Sequence, residues 1–214
     1  MIDLYTLATP NGQKASIALE ELGLPYTTHV VNIMEGEQFE PEYLKINPNN
    51  KIPAIVDQDG PGGTPIAIME SGAILIHLAR KAGKLLPADP RAESEVLQWL
   101  FFQVGHEGPM FGQFGHFFKF AREACDHPYP LERYTKETRR ILGVMNERLA
   151  GREWFVADTY TIADIALCPW VLTLDGFYEG GEHLGLAEFE HVNAWTARCK
   201  TRPAFQRGLE VGKL

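Results

Sequence analysis

Along the first part of the chain, short runs of alternating apolar and polar residues take turns with stretches of three- and four-residue apolar spacing. Ile2-Asp3-Leu4-Tyr5-Thr6-Leu7 predicts a strand. Gln13 to Leu22 predicts a helix, with Ala15, Ala18, Leu19 and Leu22 on one stripe and Gly23 as its stop. Thr27 to Val31 is a second strand, Pro41 to Ile46 a short helix and Ile52 to Asp57 a third strand. Gly60-Pro61-Gly62-Gly63 marks a turn, and Pro65 to Met69 a fourth strand. Ser71 to Ala82 reads as a helix begun by a serine cap and ended by Gly83. The order βαβ-α-ββα predicts an α/β layer with a mixed sheet.

Beyond residue 87 the strand signals stop. Arg91 to Phe120 is long and mostly helical, with a weak point at Gly105, Gly108 and Pro109. Leu131 to Leu149 is amphipathic, Thr161-Ile162-Ala163-Asp164 has capping-box spacing, and Val192 to Arg202 closes the run before Pro203. Leu86-Pro87-Ala88-Asp89-Pro90 has linker composition. The expected organisation is therefore an α/β domain over 1–87 and an all-α helical domain over 88–214.

Composition narrows the function. A length of 214 residues with 45% hydrophobic and 22% charged residues is ordinary for a globular chain. The formal net charge is −8. An acidic surface argues against nucleic-acid partners and against an anionic-membrane anchor, and no apolar run is long enough to span a bilayer. The N-terminus shows no signal-peptide pattern, and three widely spaced cysteines fit a reducing cytoplasmic setting better than a disulfide framework.

Three strings carry candidate chemistry. In Asn49-Asn50-Lys51-Ile52-Pro53-Ala54 a proline opens a strand. A cis Ile52–Pro53 bond would turn the Ile52 main chain toward a ligand; an ordinary trans proline at a strand start is the plain alternative. Glu70-Ser71 sits where a strand hands over to a helix. There free amides and the positive helix end suit a carboxylate, and the glutamate suits an ammonium. For this pair taken alone, a plain cap beside a solvated glutamate is the favoured reading. Thr9-Pro10-Asn11-Gly12 joins the first strand to the first helix and can offer two donors to a thiolate or oxyanion, or be a simple turn.

Together and in this order, these strings resemble the glutathione transferase superfamily across essentially the whole chain. The resemblance implies a thioredoxin-like first domain and a helical second one. Within the family, Thr9-Pro10-Asn11-Gly12, Gln38-Phe39, Asn47 to Pro53, Gln98 to Phe101 and Gly108-Pro109-Met110 look like the bacterial nu-class branch. That branch acts chiefly by glutathione-dependent disulfide reduction and is similar to the folded domain of a yeast nitrogen-catabolite regulator. The resemblance implies that Thr9 and Asn11 face the glutathione sulfur and that the Ile52 main chain, at the Pro53 element, pairs with the cysteinyl part. It further implies that Gln38 and Lys51 hold the glycyl end, and Glu70 and Ser71 the γ-glutamyl end. Arg133 would reach in from the helical domain, across a homodimer. The expected co-substrate is glutathione or its oxidised form, the second substrate a small disulfide or electrophile, with no metal. Conjugation of electrophiles, peroxide reduction and a non-catalytic binding or regulatory role stand as alternatives.

The cysteines discriminate further. Cys125, Cys168 and Cys199 all lie in the helical half, so a protein thiolate at the expected site is excluded, and with it the cysteine-bearing classes. Tyr5 lies within the first strand and reads as packing, not as the sulfur contact of the tyrosine classes. The seven histidines show no ligand spacing; His106-Glu107 is not followed by the second histidine of a zinc motif. Met110, Phe111, Phe114, Phe117, Phe118 and Phe120 read either as helix packing or as the wall of an apolar substrate pocket.

Overall fold

The computed structural model describes residues 1–214. Contacts divide the chain into two compact units: Met1–Leu86 with Lys200–Leu214, and Pro87–Cys199. The expected division at 87 counted the segment from Lys200 onward with the helices; the structure groups it with the first unit.

The first unit holds β1 (Ile2–Thr6), α1 (Pro10–Leu22), β2 (Tyr26–Val30), α2 (Pro41–Ile46), β3 (Ala54–Asp57), β4 (Ile66–Met69) and α3 (Ser71–Ala82). Its four strands run in the order β2-β1-β3-β4. β1 and β2 are parallel, which requires the α1 crossover; β3 and β4 are antiparallel additions. This is the mixed sheet of a thioredoxin-like domain. Alternation sets the buried face: Ile2, Leu4 and Thr6 are buried, while Asp3 and Tyr5 between them are partly exposed.

Helix α1 begins three residues before its predicted start. Thr9 caps it, its hydroxyl oxygen accepting from the Gly12 amide at 3.2 Å, and Pro10 sits at the first position, where no N–H is needed. The close approach of α1 to β1 demands glycine at 12, because a Cβ there would lie 2.0 Å from the Leu7 carbonyl oxygen. Helix α3 matches its predicted bounds, but the cap does not. Glu70 occupies the capping position without a side-chain bond, and Ser71 is the first helical residue. The Ser71 hydroxyl is engaged elsewhere, as described below.

A C-terminal helix that the apolar spacing did not predict, α10 (Pro203–Glu210), packs on α1. Ser16 Oγ donates to the Gly208 carbonyl at 2.7 Å, and a Cβ at 208 would meet the Ile17 Cα at 2.5 Å. Arg202 forks onto the two carboxylate oxygens of Glu21 at 2.7 Å each. Pro203 had read as a terminator; it stands instead at the first position of this short helix.

The second unit is helical: α4 (Pro90–Phe102), α5 (Gly108–Gly115), α6 (Pro128–Leu149), α7 (Ile162–Gly176), α8 (Gly181–Leu184) and α9 (Glu190–Lys200). The expected weak point is a π-helical stretch, Gln103–Glu107, and a second one, His116–Phe120, follows α5. The first lies just ahead of Pro109, whose ring would meet the carbonyl of residue 105 in a regular α-turn. Helix α7 is buried almost throughout and starts with the predicted box. The Thr161 hydroxyl accepts from the Ala163 amide, while Asp164 accepts from the Thr161 amide and hydroxyl, the Phe155 amide and Trp195 Nε1. Burial pushes the Asp164 carboxyl up, and these four donors pull it back. Cys168 and Cys199 are buried in this unit, and Cys125 lies between helices.

Asp164 should be the folding keystone of this unit. Asp164→Ala strands two amides and an indole N–H, and is expected to destabilise the protein by more than about 2 kcal/mol. Urea denaturation followed by tryptophan fluorescence checks this.

Candidate functional site

Strand register gathers the predicted positions. Thr6 pairs with Val30, Tyr5 with Ala54, and Ala54 with Met69. The C-terminal ends of β1, β2 and β4 and the N-terminal end of β3 therefore share one edge of the sheet. Thr9 and Asn11 follow β1, Gln38 follows β2, Lys51-Ile52-Pro53 precede β3, and Glu70-Ser71 follow β4. Of the predicted residues only Arg133 belongs to the other unit.

At this edge α1 and α3 both begin. Each presents unsatisfied N–H groups and the positive end of a helix dipole, which favours anions. The Thr9 hydroxyl oxygen already accepts from Gly12, so its O–H hydrogen is the part that can donate outward. Asn11, in the first turn of α1, accepts at Oδ1 from Lys14 Nζ at 2.8 Å. The same ammonium lies 3.3 Å from Ser71 Oγ at the start of α3. Lys14 is only 2% exposed. It therefore joins two of the predicted residues across two helices, and it was missed in the sequence because lysine on a helix ordinarily reads as solvated. The signal was present: Lys14 stands four residues before Ala18 and eight before Leu22, on the apolar stripe.

The β3 approach is held by its carbonyl. Lys51 O accepts from the Tyr43 hydroxyl at 2.5 Å and from Asn47 Nδ2 at 2.6 Å, while the Lys51 side chain is exposed. Burial pushes the Tyr43 phenol up to about 12, which keeps it a neutral donor. Ile52–Pro53 is cis, and Ile52 lies outside both ladders, which begin at Ala54. Ile52 packs with Tyr5 on the cluster of Val31, Tyr43 and Ala54. Tyr5 also stacks on His29 at 4.6 Å, consistent with packing, and burial raises its phenol above the ordinary value.

Gln38 donates from Nε2 to the Ile33 carbonyl at 3.4 Å, and its buried Oε1 has no protein partner. A buried acceptor left in this state costs on the order of 1–3 kcal/mol unless a donor reaches it. Glu70 has φ 68° and ψ 115°, a left-handed φ that costs about 1 kcal/mol or more at a residue with a Cβ. Its carboxylate is exposed beside the α3 start. Arg133 is exposed on α6, and with Arg140 it helps hold the Glu137 carboxyl below its ordinary value, Arg140 having the larger effect.

The far end of β3 anchors α3. Asp57, fully buried, accepts from His77 at 2.8 Å and Lys81 at 3.0 Å, both on α3, and from the Asp59 amide at 3.1 Å. Burial raises its carboxyl, but these donors outweigh it and the pKa is lowered from 3.8. This clamp fixes the helix whose first residue is Ser71.

The edge can thus hold an elongated zwitterion, its anionic groups at helix starts and its ammonium at Glu70. It contains no cysteine, since all three lie in Pro87–Cys199. No group of three or more His, Cys, Asp or Glu side chains is placed to hold a metal ion. No helix is long and apolar enough to cross a membrane.

Comparison with known proteins agrees in both units. The family model "Glutathione S-transferase, N-terminal domain" matches residues 8–81, and "Glutathione S-transferase, C-terminal domain" matches 109–203. The Escherichia coli (strain K12) protein named "Disulfide-bond oxidoreductase YfcG" is 45% identical over 215 residues, covering 100% of this chain and 97% of its own. A glutathione transferase family member from Pseudomonas fluorescens, solved with two glutathione bound, superposes with a TM-score of 0.96 at 54% identity, covering 98% of this chain and 92% of its own. A glutathione transferase from Pseudomonas putida, solved with one glutathione disulfide per subunit, gives 0.96 at 47% identity, with 98% and 91% covered.

The Asp57 clamp predicts an acid-sensitive anchor. Its pKa is lower in the folded chain, so its contribution is complete above about 3.8 and is lost as pH falls through the folded value. Asp57→Asn should cost about 2–3 kcal/mol near neutral pH and should shrink the loss of stability between pH 4 and pH 2, roughly the window below the ordinary carboxyl pKa. Urea midpoints across that range test both.

Proposed function

The chain belongs to the glutathione S-transferase family, and on that footing we propose that it is a glutathione-dependent disulfide-bond oxidoreductase whose reacting thiol is supplied by glutathione. The observation that carries this reading is a cysteine-free sheet edge where Thr9 and Asn11, at the start of α1, each accept an internal hydrogen bond at oxygen and keep N–H or O–H hydrogens to donate. The Escherichia coli relative named for disulfide chemistry, and neighbours that hold two glutathiones or glutathione disulfide, support it.

Glutathione would lie along the edge. Its γ-glutamyl carboxylate meets Ser71 and the α3 amides, and its ammonium meets Glu70. The Ile52 main chain, turned out of the sheet at Pro53, pairs with the cysteinyl residue as an added strand does. Gln38 Oε1 gains the peptide N–H it lacks, and the exposed Lys51 ammonium faces the glycyl carboxylate. Arg133 adds a cation from the second subunit of a homodimer.

A cysteine-like thiol ionises near ~8.5, so activation at neutral pH needs a pKa about two units lower, or ~2.7 kcal/mol of preference for the thiolate. The Thr9 and Asn11 donors and the α1 dipole can supply that. The thiolate attacks one sulfur of a disulfide, forming a mixed disulfide and expelling the other sulfur as thiolate, which takes a proton from water. A second glutathione thiolate attacks the glutathione sulfur of the mixed disulfide and expels the remaining sulfur as thiolate, which likewise takes a proton from water. Two glutathiones are oxidised to one glutathione disulfide, and one substrate disulfide is reduced to two thiols.

Reduction of a small model disulfide by glutathione, coupled to glutathione reductase and NADPH, should be fast, and conjugation to an aromatic halide feeble. Asn11→Ala should lower disulfide turnover by about 10²-fold while glutathione binding changes little. Fast conjugation without disulfide turnover would replace the reaction with transfer. Silence in both assays with glutathione still bound would make the chain a binding protein.

A further inference from the structure

Lys14 is absent from every role assigned above, yet it is the one lysine buried in the core of the first unit. Burying an ammonium is costly unless acceptors surround it. Its acceptors include Asn11 Oδ1 at 2.8 Å and Ser71 Oγ at 3.3 Å, side chains on two different helices.

An ammonium has three donors and no acceptor. Each partner it touches must therefore present oxygen to it. For Asn11 this removes an ambiguity, because a primary amide can turn over and exchange its oxygen for its nitrogen at little cost. With Oδ1 drawn to Lys14, the Nδ2–H2 end points the other way. For Ser71 the hydroxyl oxygen is drawn to the ammonium, so its hydrogen is directed away. The Thr9 hydroxyl is polarised in the same sense by the Gly12 amide.

We propose that Lys14 is a positioning residue that sets the hydrogen-bond polarity of the edge, turning Asn11 and Ser71 into outward donors matched to an anionic thiolate and an anionic carboxylate. The thiol and the γ-glutamyl carboxylate of one ligand are thereby governed by a single buried charge that acts through Asn11 and Ser71. A neutral or acceptor-bearing residue at 14 leaves Asn11 able to offer its oxygen to the sulfur, which favours the protonated thiol. This proposal rests on the reading that glutathione lies along this edge; it does not depend on which electrophile the thiolate then attacks.

The test uses the full-length protein and glutathione itself. Thiolate absorbance of bound glutathione is titrated against pH in wild type, Lys14→Met and Lys14→Arg, with affinity measured by calorimetry and folding by thermal melt. Methionine is close to lysine in length and removes only the charge and donors. The expected result is a rise of the bound thiol pKa by about one unit in Lys14→Met, or tenfold less thiolate at a given pH well below it, with weakened affinity; Lys14→Arg should restore most of both. A folded Lys14→Met protein with wild-type thiol pKa and affinity overturns the proposal.

Wild-type protein provides a second readout that does not depend on the variant folding. In a ¹⁵N-labelled sample, the Asn11 side-chain NH2 resonances should shift when glutathione binds and shift again as its thiol ionises. An NH2 group that ignores both events overturns the donor assignment. Wild-type protein that fails to bind glutathione overturns the ligand reading and this proposal with it, whereas binding without disulfide turnover removes only the proposed reaction.

Discussion

Ala54 pairs with Tyr5 on one side and with Met69 on the other, and the candidate site depends on that double registration. A slip of one residue in either ladder would send every side chain of the moved strand to the opposite face. It would also carry the Lys51–Pro53 approach away from the starts of α1 and α3. The register is specified by burial: Ala54 and Ile55 are both fully enclosed, and Asp57 must reach His77 and Lys81. Packing at one end of β3 and an ion cluster at the other thus fix where the functional loops meet. None of those loops needs to be ordered by its own sequence alone.

Charge is managed locally. The chain nets −8, which would repel the proposed anionic ligand at long range. At the sheet edge two helix starts, the Lys14 ammonium and the exposed Lys51 oppose that repulsion, beside the exposed Glu70 carboxylate. Fixed dipoles and a desolvated charge act strongly over a few ångströms, while surface carboxylates farther away are screened by salt.

Elements with a local signature were legible in the sequence. Gly23 and Gly83 terminate α1 and α3 in left-handed conformation as their positions suggested, and Thr161-to-Asp164 forms the capping box its spacing implied. Thr9, Asn11, Ile52, Pro53, Glu70 and Ser71 stood out as candidates because they flank recognisable strands, whereas Gln38 and Lys51 were indicated by the family resemblance alone. What escaped was non-local. The cap of α3 was misassigned because a serine at a strand-to-helix junction has an obvious local use, and the competing partner, Lys14, lies 57 positions away. Lys14 itself was hidden by its residue type, and α10 by its brevity. Whether Ile52–Pro53 is cis had no local answer, since the sequence permits either isomer.

The packing of α10 on α1 has a consequence for how the molecule is made. Ser16 and Gly208 are 192 positions apart, and the whole second unit is threaded between them. A contact of such sequence separation forms late, because the intervening chain must be synthesised and its loop closed first. Nascent α1 therefore emerges from the ribosome long before the helix that covers its outer side. During that interval Ile17 and its neighbours face water or a chaperone. The helix that carries Thr9, Asn11 and Lys14 reaches its final packing only after the helical unit has been produced. Clipping or occluding the α10 segment would then loosen the proposed ligand-binding edge without touching a single residue proposed to contact the ligand.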